Sequence, residues 1–72
     1  SRELDADVVR AVRVLAKQGV RYDDLGRALG VTGSMAGMVA RRKSYRDVDD
    51  RPFDPTRLPD TLRRLFLAAR RA

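Results

Sequence analysis

The 72-residue chain has no cysteine and no histidine. Without thiols it can form no disulfide and offers zinc no thiolate. Without imidazole it lacks the usual proton shuttle near neutral pH and the commonest metal ligand. No Ser–His or Cys–His pair can be built, so an enzyme is not expected, and neither is a metal or other cofactor. Ser–Lys or carboxylate chemistry stays open, although a chain this short shapes a pocket with difficulty. Aromatics are few, with two Tyr, two Phe and no Trp. No apolar run approaches the ~20 residues that span a bilayer, and no signal-peptide pattern opens the chain. A cytoplasmic protein is expected. Lysine is scarce too: only Lys17 and Lys43 among 16 cations, the rest being Arg. Richness in Arg, Ala and Asp also suits a GC-rich coding genome, which discounts the Arg bias as evidence for phosphate binding. The chain opens on Ser rather than Met, as a processed product, a tag remnant or a fragment of a longer protein would.

What the chain has is positive charge, +6 in total. In so small a domain that favours an anionic partner, most often nucleic acid. The charge is unevenly placed. Residues 1–21 carry five cations and three acids, 22–50 carry five of each, and 51–72 carry six and two. The neutral middle is polarised: Arg41, Arg42, Lys43 and Arg46 form a basic run, and Asp47, Asp49 and Asp50 follow at once. With no histidine and no calcium-loop glycine, those three acids read as solvated loop residues.

Periodicity predicts helices throughout. Leu4, Val8, Val12 and Leu15, widened by Ala11 and Ala16, make an amphipathic stripe over about 4–18, with Arg10, Arg13 and Lys17 off it. Glu3, Asp5 and Asp7 begin this helix and Lys17 ends it, as the helix dipole favours, and Gly19 stops it. A short second helix spans about 22–29, opened by Asp23 and Asp24 and ended by Gly30. Thr32 then caps a third over about 33–41, whose apolar positions are Met35, Ala36, Val39 and Ala40. Gly33 and Gly37 each weaken it by ~1 kcal/mol relative to Ala, so tertiary packing must support it. Residues 43–54 read as a loop with one turn around 45–48. Asp54 and Pro55 open a single turn over 55–58 that Pro59 interrupts. Pro59 or Asp60 opens a last helix that reaches about 71, with Leu58, Leu62, Leu65, Phe66 and Ala69 on its apolar side and Arg63, Arg64, Arg70 and Arg71 on its polar side. Phe53 and Phe66 are expected in the core. No strand alternation or repeat occurs. The expected fold is a single all-α domain of four helices, five with the short turn.

Two short helices joined by a tight glycine turn are the helix-turn-helix signature. Leu25 and Leu29 bury the first, Gly26 keeps the crossing close, Gly30 makes the turn, and Val31 is expected to enter the core. Thr32 caps the second helix, which Ala36 and Val39 bury. On these residues the segment over about 22–42 resembles the helix-turn-helix of phage Cro/repressor-like and related small bacterial regulators. The matching pieces are Gly26, Leu29-Gly30-Val31-Thr32, and Ala36 with Val39, followed by the basic exit from Arg41 to Tyr45. The resemblance covers about 24 of 72 residues.

It implies that the helix over about 32–41 enters the major groove of double-stranded DNA, its N-terminus towards a phosphate. Its outward positions would then be Thr32, Gly33, Ser34, Gly37, Met38 and Arg41. Arg41 is the one strong guanine reader, Thr32 and Ser34 offer single hydrogen bonds, and Met38 suits a thymine methyl. No Asn or Gln supplies a bidentate adenine contact. Two glycines among six positions either let the backbone sit deep in the groove or mark the helix as purely structural. Arg42, Lys43 and Arg46 would grip phosphates, and Tyr22 and Tyr45 either join them or pack. With so little base-reading chemistry per copy, a homodimer is expected, through Leu62, Leu65, Phe66 and Ala69 of the last helix. The implied function is a sequence-specific, repressor-like transcriptional regulator. The DNA-binding part of a larger recombinase or regulator would read identically. A protein-interaction or oligomerisation module is the alternative, favoured by the small residues of the third helix. A membrane-surface peptide is disfavoured, because the first helix mixes acids with bases on its polar face.

Overall fold

The computed structural model describes residues 4–71, with side chains through 69; Glu3 and the side chains of Arg70 and Arg71 lie outside this range. The described residues form four α-helices and one 3-10 turn, with no strand. Helix α1 spans Ala6–Lys17, α2 Tyr22–Leu29, α3 Gly33–Ala40 and α4 Asp60–Arg71, and the turn is Pro55–Arg57. Each agrees within two residues with the sequence expectation.

Local chemistry accounts for the boundaries. Beyond α1 Gly19 adopts φ 97°, and beyond α2 Gly30 adopts φ 77°, left-handed values that glycine takes without steric cost. Thr32 caps α3, its hydroxyl oxygen accepting the N–H of Met35 at 3.1 Å. The Asp54 carboxylate accepts from the N–H of Thr56 at 3.0 Å and from its hydroxyl at 2.7 Å, opening the 3-10 turn. One further turn closes between the Val48 N–H and the Tyr45 carbonyl at 3.1 Å.

One core joins all four helices. Val9, Ala11, Val12 and Leu15 from α1 meet Leu25 from α2, Ala36 and Val39 from α3, and Leu58, Leu62 and Phe66 from the C-terminal part. Phe53 covers its edge, its ring 5.6 Å from that of Phe66 in an edge-on arrangement. Helix α2 packs most extensively on α3, and α1 packs on α3 as well. The α2–α3 crossing depends on Gly26. A β-carbon there would lie 2.7 Å from the Val31 carbonyl oxygen and 2.8 Å from the backbone of Thr32, so the turn rests directly on the helix.

Four expectations are corrected. Val31 is half-buried and lines a groove with Leu4, Leu29 and Met35 instead of entering the core. Met35 is 48% exposed. Leu62 and Phe66 are consumed by the chain's own core, so they cannot serve a dimer surface; Leu65 and Ala69 are half-buried, and Leu67 is exposed. Finally, Arg13 is not on the polar side of α1 but buried.

Candidate nucleic-acid interface

Helix α3 presents Ser34, Met35 and Met38 to solvent, with Thr32 exposed at its start. Gly37, expected on this outer face, is buried. The Tyr22 ring lies across it: a β-carbon on Gly37 would sit 2.7 Å from Tyr22 Cδ2. The guanidinium of Arg41 in turn lies 5.8 Å from the centre of the same ring, within cation–π reach. Gly37, Tyr22 and Arg41 therefore form one stack, and the glycine serves side-chain packing rather than close backbone approach. Gly33 has a similar explanation. The Asp23 carboxylate lies against it, so close that any β-carbon would collide with Oδ1. A carboxylate thus occupies the first turn of α3, where a phosphate was expected.

The C-terminal end of α3 has the opposite character. Arg41, Arg42, Lys43 and Arg46 are all exposed and line one shallow concavity. Arg42 is paired with Asp50, Nη2 reaching both carboxylate oxygens at 2.7 Å. That bond holds the Asp50 carboxyl below its ordinary range. Among the described residues, Arg41, Lys43 and Arg46 have no carboxylate within ion-pair distance. Asp49 is drawn to the other side, bonded by Arg51 and then by Arg10, and its pKa falls to about 2. The acids that follow the basic run therefore neutralise only one of its four cations.

Compared with family models, curated proteins and solved structures, the chain matches none. The site is accordingly assigned from its own geometry.

Tyr45 takes the packing alternative. It is half-buried, and its hydroxyl accepts the N–H of Leu4 at 3.0 Å, tying the start of the chain to the loop after α3.

Arg13 joins this region unexpectedly. It is 7% exposed. Its Nε donates to the Val39 carbonyl at 3.0 Å and Nη1 to that of Val48 at 2.9 Å. Nη2 donates to the carbonyls of Ser44 at 3.1 Å and Tyr45 at 2.9 Å. Among the described residues no carboxylate pairs with it; burial, and then the nearby Arg42 charge, push the guanidinium pKa below its ordinary value. The sequence carried a signal: Arg13 stands four residues after Val9 and three before Ala16, at the margin of the buried face. A second cavity, lined by Arg10, Arg13, Lys17, Arg42, Asp50 and Arg51, is basic as well, but most of its guanidiniums are already bonded within the chain.

Proposed function

We propose that the chain binds double-stranded DNA through α3 and the basic turn after it. The observation that carries this reading is the gathering of Arg41, Arg42, Lys43 and Arg46 around one concavity, three of them without an ion-pair partner among the described residues. Cations so placed neutralise phosphates and release counterions, which provides affinity without sequence preference. The phosphate grip lies at the C-terminal end of α3, because Asp23 repels phosphate at the other end. Ser34, Met38 and Arg41 face the base edges, and the Tyr22 ring holds Arg41 in place for a guanine. Three readers give little discrimination, so specificity comes from two copies on neighbouring turns of the duplex, as in a repressor-like regulator.

The test is duplex binding followed by fluorescence anisotropy from about 50 to 200 mM salt. Three to four phosphate contacts give a log–log slope of about −3. A slope near zero, or no binding at the lowest salt, overturns the reading. On a site selected from a random pool, Arg41→Ala is expected to lose more affinity than on unselected duplex. Equal losses would assign Arg41 to phosphate alone.

A protein-interaction surface is the second reading, supported by Met35 and Met38 at 48% and 42% exposure on α3. It requires binding to a partner chain that Met35→Gln with Met38→Gln abolishes while duplex affinity stays unchanged.

A further inference from the structure

Helices α1, α2 and α3 end in the same backbone turn. After α1 the N–H groups of Gly19 and Val20 donate to Ala16 and Leu15, both at 3.0 Å. After α2 those of Gly30 and Val31 donate to Arg27 and Gly26 at 3.4 and 2.8 Å. After α3 those of Arg42 and Lys43 donate to Val39 and Met38 at 3.2 and 2.9 Å. This is the Schellman arrangement, and it places one residue in the left-handed conformation. That residue is Gly19 in the first turn, Gly30 in the second and Arg42, at φ 63°, in the third. The first two adopt the conformation freely; Arg42 meets its steric penalty. Three residues on, Tyr45 is left-handed as well, at φ 55°.

Two such residues in one short segment persist only where surrounding contacts over-determine them. Arg13 supplies those contacts. Its guanidinium grips the Val39 carbonyl before the turn and the Ser44, Tyr45 and Val48 carbonyls after it, so it brackets Arg42 from both sides. The Arg42–Asp50 pair is exposed and is too weak an interaction to explain an arginine at a glycine position. A turn that merely ended α3 would be served by glycine, as the other two are. The arginine instead puts a guanidinium beside Arg41, Lys43 and Arg46, which a phosphate entering the concavity takes over from the exposed Asp50 carboxylate.

We propose that Arg13 is the positioning residue of the nucleic-acid site: it holds the strained turn over 41–46 so that its cations meet the phosphates of one duplex in fixed register. This rests on the DNA-binding reading above. The experiment compares the parent chain with Arg13→Lys, which keeps the charge but cannot reach four carbonyls with one ammonium. Helicity by circular dichroism first establishes that the variant is folded at the working temperature. Duplex affinity at about 50 mM salt is then expected to fall about tenfold and the log–log slope to shrink by about one unit, as it does when one phosphate fewer is neutralised. A folded Arg13→Lys with the parent's affinity and slope overturns the proposal, since a purely structural role lowers melting temperature without changing the slope. Should Arg13→Lys not fold, the same substitution is made in Arg42→Gly, whose turn is free of strain at that position. A further loss of slope there, from Lys43 and Arg46, supports the proposal. An unchanged slope, or failure of this relaxed variant to fold, assigns Arg13 to the fold alone. If the parent chain shows no salt-dependent binding, the DNA reading itself fails and this inference goes with it.

Discussion

Arg42 occupies a position where its backbone and its side chain have opposite interests. A left-handed residue with a β-carbon costs roughly 1–2 kcal/mol relative to glycine, and at φ 63° Arg42 bears that cost. Its bond to Asp50 returns little, because an exposed pair contributes about 0–1 kcal/mol. Arg42→Gly is therefore expected to hold the parent's stability or to gain up to about 1 kcal/mol, read as a higher urea midpoint with unchanged m-value. The same variant should bind duplex with a salt slope smaller by about one unit. Opposite signs in the two measurements would identify a residue kept for a ligand at the expense of the fold. A variant that lost stability and kept the slope would make Arg42 a structural half of its pair with Asp50. Asp50→Asn separates the two roles further, since it releases Arg42 without altering the turn. Asp49 does not compete for that cation, because Arg51 and Arg10 already hold it.

At the level of elements, two glycines on the interacting helices answer to different neighbours. A β-carbon on Gly26 would meet backbone atoms of Val31 and Thr32 at 2.7 to 2.8 Å, which cannot yield without moving α3. Gly26→Ala is expected to cost about 2 kcal/mol despite the better helix propensity of alanine. A β-carbon on Gly37 would meet the ring of Tyr22, an exposed side chain that can swing away. Gly37→Ala should leave stability within about 0.5 kcal/mol of the parent, because the gain in propensity offsets the displaced ring. Chemical denaturation of both variants checks the contrast, and equal losses would mean the ring is as fixed as the backbone. The sequence disclosed Gly26 because its offset within a helix-turn-helix demands a small residue. It disclosed the four helices because their apolar periods and glycine stops are local signals. Gly37 looked like an open position because its partner, Tyr22, lies fifteen residues away on another helix. Arg13 was legible only in part: its spacing from Val9 and Ala16 put it at the margin of the buried face, but its role was hidden for a related reason. Its partners are four main-chain carbonyls between residues 39 and 48, and carbonyls leave no trace in residue identity. The basic run itself was plain in the sequence; its folding into one concavity, with Arg42 alone of the four paired among the described residues, was not.

Across the whole molecule, most of the large apolar residues are spent on the internal core, and this bears on how copies associate. Leu62 and Phe66, two of the four residues expected at a dimer surface, are buried at 0% and 6% exposure within the chain. What α4 leaves outside is Leu67 at 44% exposure, beside half-buried Leu65 and Ala69. A stable interface buries ~800 Å² from each partner, and the described residues expose 5072 Å² in total. A dimer through α4 in free solution would have to cover about a sixth of that surface with Leu67 as its main apolar anchor. The free chain is therefore expected to be monomeric at micromolar concentration. On DNA the balance differs, because two copies bound to successive major grooves are already held close, and even a weak contact through Leu67 then adds to the affinity of both. Sedimentation velocity without DNA should give a single species near 8.1 kDa. With a duplex carrying two copies of the selected site about 34 Å apart, it should give two chains per duplex, binding cooperatively. Shifting one site by half a helical turn places the second copy on the opposite side of the DNA, where no contact through α4 can form. Cooperativity should vanish in that duplex and in Leu67→Ser, while the affinity of each single site stays as it was. A dimer without DNA, or cooperativity indifferent to spacing, would mean that the copies meet through a surface other than α4.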